Sequence, residues 1–453
     1  MKARASWGSR AGFIFAAAGS AVGLANIWRF PYMVGSSGGA GFIGLYLICL
    51  ALIGFPVFLA EVLIGRSSQT APASAFSRLG GGPPWRWVGK GIILTGFLVS
   101  AFYSAVAGTI VGYFVEALRG NLTIFSSAGE TVAHHASLVD NPWWTVSFHF
   151  AFILMSTFIL ISGVRKGIER ASKIFMPLLY IILIGLVIKG ISLPHSWDGI
   201  KFLFSPDWSQ ISPMVILLAL GQSFFTLSIG QGTMITYGSY LPPRENVVTC
   251  TLPVVFMDTL VSLLTSVAIF TIVFSVGLKP DAGPALIFHT LPLVFSQLPG
   301  GYFLAILFFL LVFIAAITSE ISAMEPSIAY LIDEKKMKRS RAVVCVASGA
   351  FLVGIPCALS WNILSGFKIF GSTILELMDF MATSVLIPAG GLAAVLFVGW
   401  FWTHHAAFEE ARKGNEEFFT KHRWFAFYFK WTIKVIAPLL ILLVFLSASG
   451  ILG

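Results

Sequence analysis

The sequence predicts an all-α polytopic membrane protein with eleven transmembrane helices, and three observations carry that prediction. Of 453 residues, 57% are hydrophobic, 14% aromatic and only 11% charged, against about 25% charged in soluble domains. Apolar runs near 20 residues long recur along the whole chain, each enough as a helix to cross ~30 Å of hydrocarbon. The 29 Lys and Arg are sorted about those runs: 23 fall on one side, and six (Arg29, Arg119, Lys189, Lys201, Lys279, Lys368) on the other. Cytoplasmic loops hold the excess of positive charge, so the N-terminus is expected in the cytoplasm and the C-terminus outside. A plasma membrane, the inner one of a bacterium, is the expected location. Topology thus accounts for the net charge of +9, and nucleic acid is not needed to explain it.

Span one, 11–34, follows the basic start MKARASWGSR. This resembles a signal peptide, but Arg29, Pro31 and the ten spans behind them favour an uncleaved first helix. Span two, 39–65, carries Glu61 near its inner end, and the inner loop 66–86 is rich in Ser, Gly and Pro. Spans three, four and five fall at 87–118, 143–162 and 168–189. The outer loop between the first two of these, 119–142, contains an outward-facing sequon at Asn121 and Thr123. Outer connections 190–210 and 278–297 carry Pro, Trp and Gly and are expected to fold over the entrance. Spans six to eleven follow at 211–237, 246–277, 298–332, 342–362, 369–402 and 424–450. Trp85, Trp87, Trp143, Trp144 and Trp424 stand at span ends, where interfacial aromatics collect. Short connections imply one domain over 1–453. His134–His135 and His404–His405 read as solvated surface. Cys49, Cys250, Cys345 and Cys357 lie in or beside spans without CxxC spacing, which indicates neither a disulfide framework nor a zinc site.

Two spans are interrupted. Residues 19–31, GSAVGLANIWRFP, put Gly19, Ser20, Gly23, Asn26, Arg29 and Pro31 inside span one, and residues 221–238, GQSFFTLSIGQGTMITYG, break span six. Unpartnered backbone groups cost several kcal/mol each in hydrocarbon, so broken helix is tolerated only where it is buried in protein or lines a cavity. A charge near mid-membrane costs at least ~2.5–3.5 kcal/mol. Breaks five spans apart are the pattern of an inverted repeat of five plus five helices with its binding site at the repeat interface. The repeats would cover about 10–190 and 210–402, with an extra helix at about 424–450.

The freed N–H end of a broken helix attracts a carboxylate, and the carbonyl end suits a hard cation. Side-chain oxygens cluster near both breaks: Asn26, Thr226, Ser228 and, on span seven, Asp258. Asp258 has no Lys or Arg within its own span, so a cation ligand is preferred over an internal ion pair. On span eight, Thr318 and Ser319 set two hydroxyls side by side; bonding back to their own helix and cation ligation both fit them. Glu61 is expected to accept hydrogen bonds from N–H groups freed at a break, a supporting role ahead of a proton relay. In span five, Gly167 stands ten residues before Pro177. Proline lacks an N–H and disturbs the preceding turn, so the segment between can unwind, and a static kink fits equally.

Five motifs carry a resemblance: W-G-S-R at 7–10, G-S-A-V-G-L-A-N-x-W-R-F-P at 19–31, E-x-x-x-G-R at 61–66, G-Q-S-F-F-T-L-S-I-G at 221–230 and A-x-x-T-S at 315–319. The chain resembles the neurotransmitter:sodium symporter family over all its spans, and within it the LeuT-like bacterial amino-acid transporters of broad hydrophobic specificity. The resemblance implies a LeuT-like 5+5 inverted repeat with discontinuous helices 1 and 6. It implies a first sodium site from Ala21, Asn26, Thr226 and Asp258, completed by the substrate carboxylate. A second would use carbonyls of Gly19, Val22 and Ala315 with Thr318 and Ser319. The substrate carboxylate would meet backbone at Leu24–Ala25 and the Tyr103 hydroxyl; its amine would meet carbonyls of Ala21, Phe225 and Thr226 and the Ser228 region. Val99, Phe225, Gln231, Ser319 and Ala323 would line the side-chain pocket. Arg29 with Asp379 resembles the outer gate, and Arg4 and Trp7 with Asp333 the inner one.

Departures from the family pattern are informative. Position 258 is usually Asn, and Ser262 one turn on matches the chloride-site serine of chloride-dependent members; aspartate could supply the charge that chloride otherwise brings. Ala323 is small and leaves room for large side chains. Gly23 replaces the Asp of monoamine carriers, which favours a substrate that brings its own carboxylate. The expected function is therefore sodium-coupled, chloride-independent symport of hydrophobic and aromatic L-amino acids by alternating access. It would use two Na+ and no organic cofactor, with amino acid, sodium and lipid bilayer as partners and no obligate protein partner. The nearest alternative is a proton-coupled or other carrier of the same architecture from the amino acid–polyamine class, separated by sodium dependence of uptake. An intramembrane enzyme would need an embedded His, Cys, Ser–base pair or metal motif, and the sequence offers none. A channel would be told apart by turnover.

Overall fold

The structure is a computed structural model that describes residues 4–277, 286–414 and 416–448. Lys2 and Lys279, positions 278–285 of the outer connection 278–297, and 449–450 of span eleven lie outside the described residues. Nine described helices are long and apolar enough to cross a membrane. A tenth span is the pair Arg10–Ala21 and Ala25–Ser36, bent by 54° at its break. Span six is likewise in two pieces, Pro213–Phe225 and Thr233–Gly238, each too short to cross alone. The chain is thus a multi-pass membrane protein with discontinuous helices 1 and 6.

Local sequence explains where the helices begin. Ser9 accepts the Gly12 N–H at 3.0 Å and starts span one. Asn141 caps Trp143 at 3.0 Å, with Pro142 first in span four. Ser212 and Pro213 open span six in the same manner, and Asn246 caps Thr249 at 3.0 Å to start span seven. These are the residue types whose side chains satisfy the orphan N–H groups of a first turn. Span ten begins with a reciprocal box between Thr373 and Glu376.

Burial sorts the helices into layers. The most apolar stretch of span two is 78% buried, against 33% in spans four and five and 28% in span eleven. Spans one, two and six therefore occupy the centre, and span eleven lies at the margin. The inner half of span six is held against span two at two glycines. A Cβ on Gly65 would stand 2.0 Å from the Ile235 carbonyl oxygen, and one on Gly238 2.5 Å from that of Val62. Only backbone without side chains approaches so closely.

The connections hold more helix than their composition suggests. The inner loop contains Pro72–Phe76, and span three begins at Gly82 rather than 87. The outer loop contains Ala128–Val139 and the next outer connection Ser196–Phe204. The first of these outer helices corrects the reading of His134 and His135 as solvated surface. Its inner face turns both onto aromatic rings, leaving them half-buried: His135 stacks on Phe288 at 5.2 Å, its Nδ1 lies 2.7 Å from the Tyr113 hydroxyl, and His134 packs on Phe125. Burial, together with the neighbouring His289 and His134, pushes the His135 imidazole down to about 4. Phe288 also packs on Trp28, beside Arg29, so this connection covers the outer half of span one. All four cysteines are free.

Candidate functional site

Both breaks are built by residues that cannot continue a helix in place. Val22 leaves span one in extended conformation after its N–H closes on the Ala18 carbonyl at 2.7 Å. The next N–H, of Gly23, donates to Asn26 Oδ1 at 3.0 Å. In span six the chain is non-helical over 226–232, where Ser228, Gly230 and Gly232 have φ of 52°, 80° and 82°. Left-handed backbone costs an L-residue ~1–2 kcal/mol and glycine almost nothing. Ser228 is held there by its hydroxyl, which donates to the Ser20 carbonyl at 2.8 Å. That bond ties one break to the other. Glu61, fully buried on span two, accepts the freed Gly230 N–H at 2.6 Å, and its second oxygen has no partner.

Between the breaks lies a cavity. Its wall comprises Ala21, Gly23, Leu24 and Ala25 from span one, Val99 and Tyr103 from span three, Phe225, Ser228 and Gln231 from span six, and Ser319 and Ala323 from span eight. Among the expected substrate residues only Thr226 is missing; its hydroxyl points to Asp258 instead. Ser20, named only as part of the break, and Ile387, not anticipated, also line the cavity. The Tyr103 hydroxyl is buried and makes no hydrogen bond of normal geometry. A Cβ at Gly23 would lie 2.7 Å from Ser319 Oγ and 3.5 Å from that hydroxyl, so a side chain at this position would displace the Ser319 hydroxyl and project toward Tyr103.

Two clusters of oxygen flank the cavity. At the first, Asp258 is fully buried and accepts from Asn26 Nδ2 at 2.7 Å, from Thr226 Oγ1 at 3.0 Å on both oxygens, and from Tyr46 at 3.4 Å. Around Asn26 Nδ2, Thr226 Oγ1, Asp258 Oδ1, the Asp258 carbonyl and Ser262 Oγ converge within 2.7–3.3 Å. The Asn26 amide nitrogen fills the middle of these four oxygens, while its Oδ1 is turned to the Gly23 N–H. Ala21, the remaining expected ligand, borders the cavity beside them. Tyr46 was missed because a tyrosine in an apolar span gives no local signal.

At the second cluster the two hydroxyls behave differently. Thr318 bonds back to the Ile314 and Ala315 carbonyls at 3.0 and 3.1 Å. Ser319 instead reaches the broken end of span one, near the carbonyls of Ser20 at 3.1 Å, Val22 at 3.2 Å and Gly19 at 3.5 Å. A Cβ on Gly19 would meet the Thr318 Cβ at 3.2 Å and Met176 Sδ at 3.4 Å, so span five adjoins this cluster one residue before Pro177. Span five is helical throughout, with wider turns over Val164–Glu169 that include Gly167 and a regular helix Arg170–Ile191 that includes Pro177.

The gate residues are in unequal states. On the inner side Arg4 forms an ion pair with Asp333 and donates to Ser239 Oγ at 2.6 Å. Trp7 donates its indole N–H to the Tyr237 carbonyl at 3.0 Å and is 4% exposed. On the outer side Arg29 and Asp379 are not joined among the described ion pairs. The Arg29 guanidinium lies over the Phe225 ring at 5.3 Å. A second cavity, lined by Arg29, Phe224, Phe225, Thr383 and Ser384, separates span one from span ten, and pairing would require that gap to close.

Comparison with known proteins agrees with this geometry. The model of the Sodium:neurotransmitter symporter family matches residues 4–140 and 134–450. An uncharacterized sodium-dependent transporter of Bacillus subtilis, YhdH, is 38% identical over 456 residues, covering 99% of this chain and 98% of its own. A sodium-dependent transporter of Haemophilus influenzae is 35% identical, with 98% of each chain covered. The crystal structure of MhsT in complex with L-phenylalanine superposes with a TM-score of 0.89 at 39% identity, covering 98% of this chain and 100% of that one. The similarity runs nearly end to end, and the chain belongs to the sodium:neurotransmitter symporter family.

Proposed function

We propose that this protein carries hydrophobic and aromatic L-amino acids inward with two sodium ions and without chloride, by alternating access. Family membership makes it a sodium-coupled transporter rather than an enzyme and sets aside the amino acid–polyamine alternative. The observation that carries the finer reading is the cavity at the two breaks, flanked by the Asp258 and Ser319 clusters. A zwitterion's carboxylate would meet the Leu24–Ala25 backbone and the free Tyr103 hydroxyl while completing the first sodium shell. Glycine at position 23 brings no protein carboxylate to the cavity, which favours a substrate supplying its own. Ala323, Val99 and Ile387 leave an apolar end suited to a large side chain, and the relative MhsT was crystallised with L-phenylalanine.

The first sodium would be held by Ala21, Asn26, Thr226 and Asp258, the second by Gly19, Val22, Ala315, Thr318 and Ser319. Two ions moving with a zwitterion carry two charges. At ~2.3 kcal/mol per charge per 100 mV, voltage alone supplies ~4.6 kcal/mol, roughly a thousandfold accumulation. Within the repeats 10–190 and 210–402, a bundle of spans one, two, six and seven would rock against the rest, with the helix at 424–450 outside the repeats. Arg29 and Asp379 would close the outer side and Arg4, Trp7 and Asp333 open the inner one. Unwinding between Gly167 and Pro177 would then admit water to the second site. A plasma membrane is the proposed location, and the sorting of basic residues supports a cytoplasmic N-terminus. Binding of radiolabelled amino acids to purified protein tests the reading. Uptake into proteoliposomes should need sodium and survive replacement of chloride by gluconate. Equal binding in potassium-only buffer would overturn it.

A further inference from the structure

We infer that Gln231 is a specificity-determining residue that selects, among aromatic amino acids, those whose ring carries an N–H or O–H donor, tryptophan ahead of phenylalanine. The inference rests on the reading of the cavity as a site for aromatic L-amino acids. Gln231 stands between Gly230 and Gly232, both in left-handed backbone, so its place on the cavity wall is set by the break itself rather than by a helix. Its side-chain amide is almost wholly enclosed, at 5% exposure. The amide nitrogen has one long contact, 3.5 Å to the Ser228 carbonyl, and the amide oxygen has no hydrogen-bond partner.

A second orphan acceptor borders the same stretch of span three. Glu320, between the cavity residues Ser319 and Ala323, is fully buried. One of its oxygens accepts from the Ser100 hydroxyl and the other has no partner. A Cβ on Gly96 would lie 2.7 Å from the Gln231 carbonyl and 3.2 Å from that of Ala323, so both residues press on span three at that turn. Ser100 is one turn further along the same face, and Val99 and Tyr103 beside it line the cavity. Buried acceptors are nearly always paired in folded proteins. An unpaired Gln231 oxygen on a wall that also holds the apolar Val99, Ala323 and Ile387 calls for a donor brought by the ligand. An indole N–H or phenol O–H supplies it, whereas a benzyl group fills the space and leaves the Gln231 oxygen unsatisfied. Sites built to bond a substrate N–H or O–H discriminate strongly against analogues lacking it.

The test is competition against radiolabelled L-phenylalanine on the purified full-length protein in sodium. Competitors are L-tryptophan, L-tyrosine and 3-benzothienyl-L-alanine, which puts sulfur where indole has N–H at nearly the same size. Tryptophan should displace the label about tenfold better than the benzothienyl analogue. Gln231→Leu should bring the two within about twofold of each other. Equal displacement by tryptophan and its sulfur analogue in the unaltered protein would overturn the inference, needing no variant to fold. An unchanged ratio in Gln231→Leu would overturn it too. Loss of all sodium-dependent binding of phenylalanine by the unaltered protein would instead sink the reading beneath it.

Discussion

Asp258→Asn probes the charge balance of the first oxygen cluster while keeping its shape. The Asp258 carboxylate is fully buried and surrounded only by neutral donors, Asn26, Thr226 and Tyr46. No described ion pair involves it, so a bound cation is its natural counter-charge. Two unit charges about 4 Å apart interact by ~4 kcal/mol at an effective dielectric near 20, and desolvation offsets part of that. A net loss of about 2–4 kcal/mol would raise the sodium concentration for half-maximal binding roughly 30-fold to nearly a thousandfold. The hydroxyls of Tyr46 and Ser262 would still face the site, so an anion could restore the lost charge. Chloride should therefore lower the sodium midpoint of the variant and leave that of the unaltered protein in place. Sodium titrations of radiolabelled amino-acid binding, in chloride and in gluconate, read both effects. An unchanged midpoint in Asp258→Asn would refute the reasoning, as would collapse of the unaltered protein in gluconate.

Glu61→Ala leaves the buried Gly230 N–H without an acceptor, a loss of about 1–3 kcal/mol. It should lower the melting temperature in detergent, and Glu61→Gln, which keeps a carbonyl acceptor, should recover most of the difference; equal melting of all three proteins would contradict this. Pro177→Ala restores an N–H in span five and should slow release of intracellular sodium, so identical release kinetics would discard the unwinding proposal. The His135 imidazole is held near 4 against an ordinary 6.5 by burial and by His289 and His134. The unfolded chain therefore binds the extra proton first, and the stability that neutral His135 contributes is complete above pH 6.5 and lost as pH falls toward 4. His135→Phe should flatten the decline of melting temperature between pH 7 and 5, and an unaltered slope would argue against the histidine.

The breaks were legible because hydrocarbon leaves so few reasons for them. Gly19, Gly23, Asn26 and Arg29 in one span, and the Gly-rich run at 230–232 in another, are tolerable only around a cavity, and the cavity is there. Asp258 was legible for a related reason, an acid in a span without a basic partner. Tyr46 and Glu320 were not. A hydroxyl or acid near a helix break can face its own backbone, a neighbour or the cavity, and spacing alone does not choose. Outer-loop helices such as Ala128–Val139 escaped because a short amphipathic helix between two long apolar spans contributes little to any hydropathy pattern, and His135 was misplaced with it. A meeting of Arg29 and Asp379 is a matter of conformation rather than fold: residues proposed to meet in one state of a cycle would be apart in another, and both states share one sequence.

The unequal gates bear on how sodium could drive that cycle. The Arg4–Asp333 pair retains 17% and 26% of its side-chain exposure, and partly exposed pairs contribute little, commonly under about 1 kcal/mol. The inner closure must therefore depend more on Trp7, buried against Tyr237 and Tyr240 with its indole N–H satisfied. Trp7 leads directly into the helix Arg10–Ala21, whose far end supplies the carbonyls that Ser319 approaches. One rigid rod thus connects the inner closure to the second oxygen cluster. A ligand can shift such an equilibrium only by its difference in affinity between the two states. If sodium binds between the end of that rod and span eight, as proposed, it would favour the closed arrangement over one in which the rod swings away, and its departure would loosen the hold on Trp7.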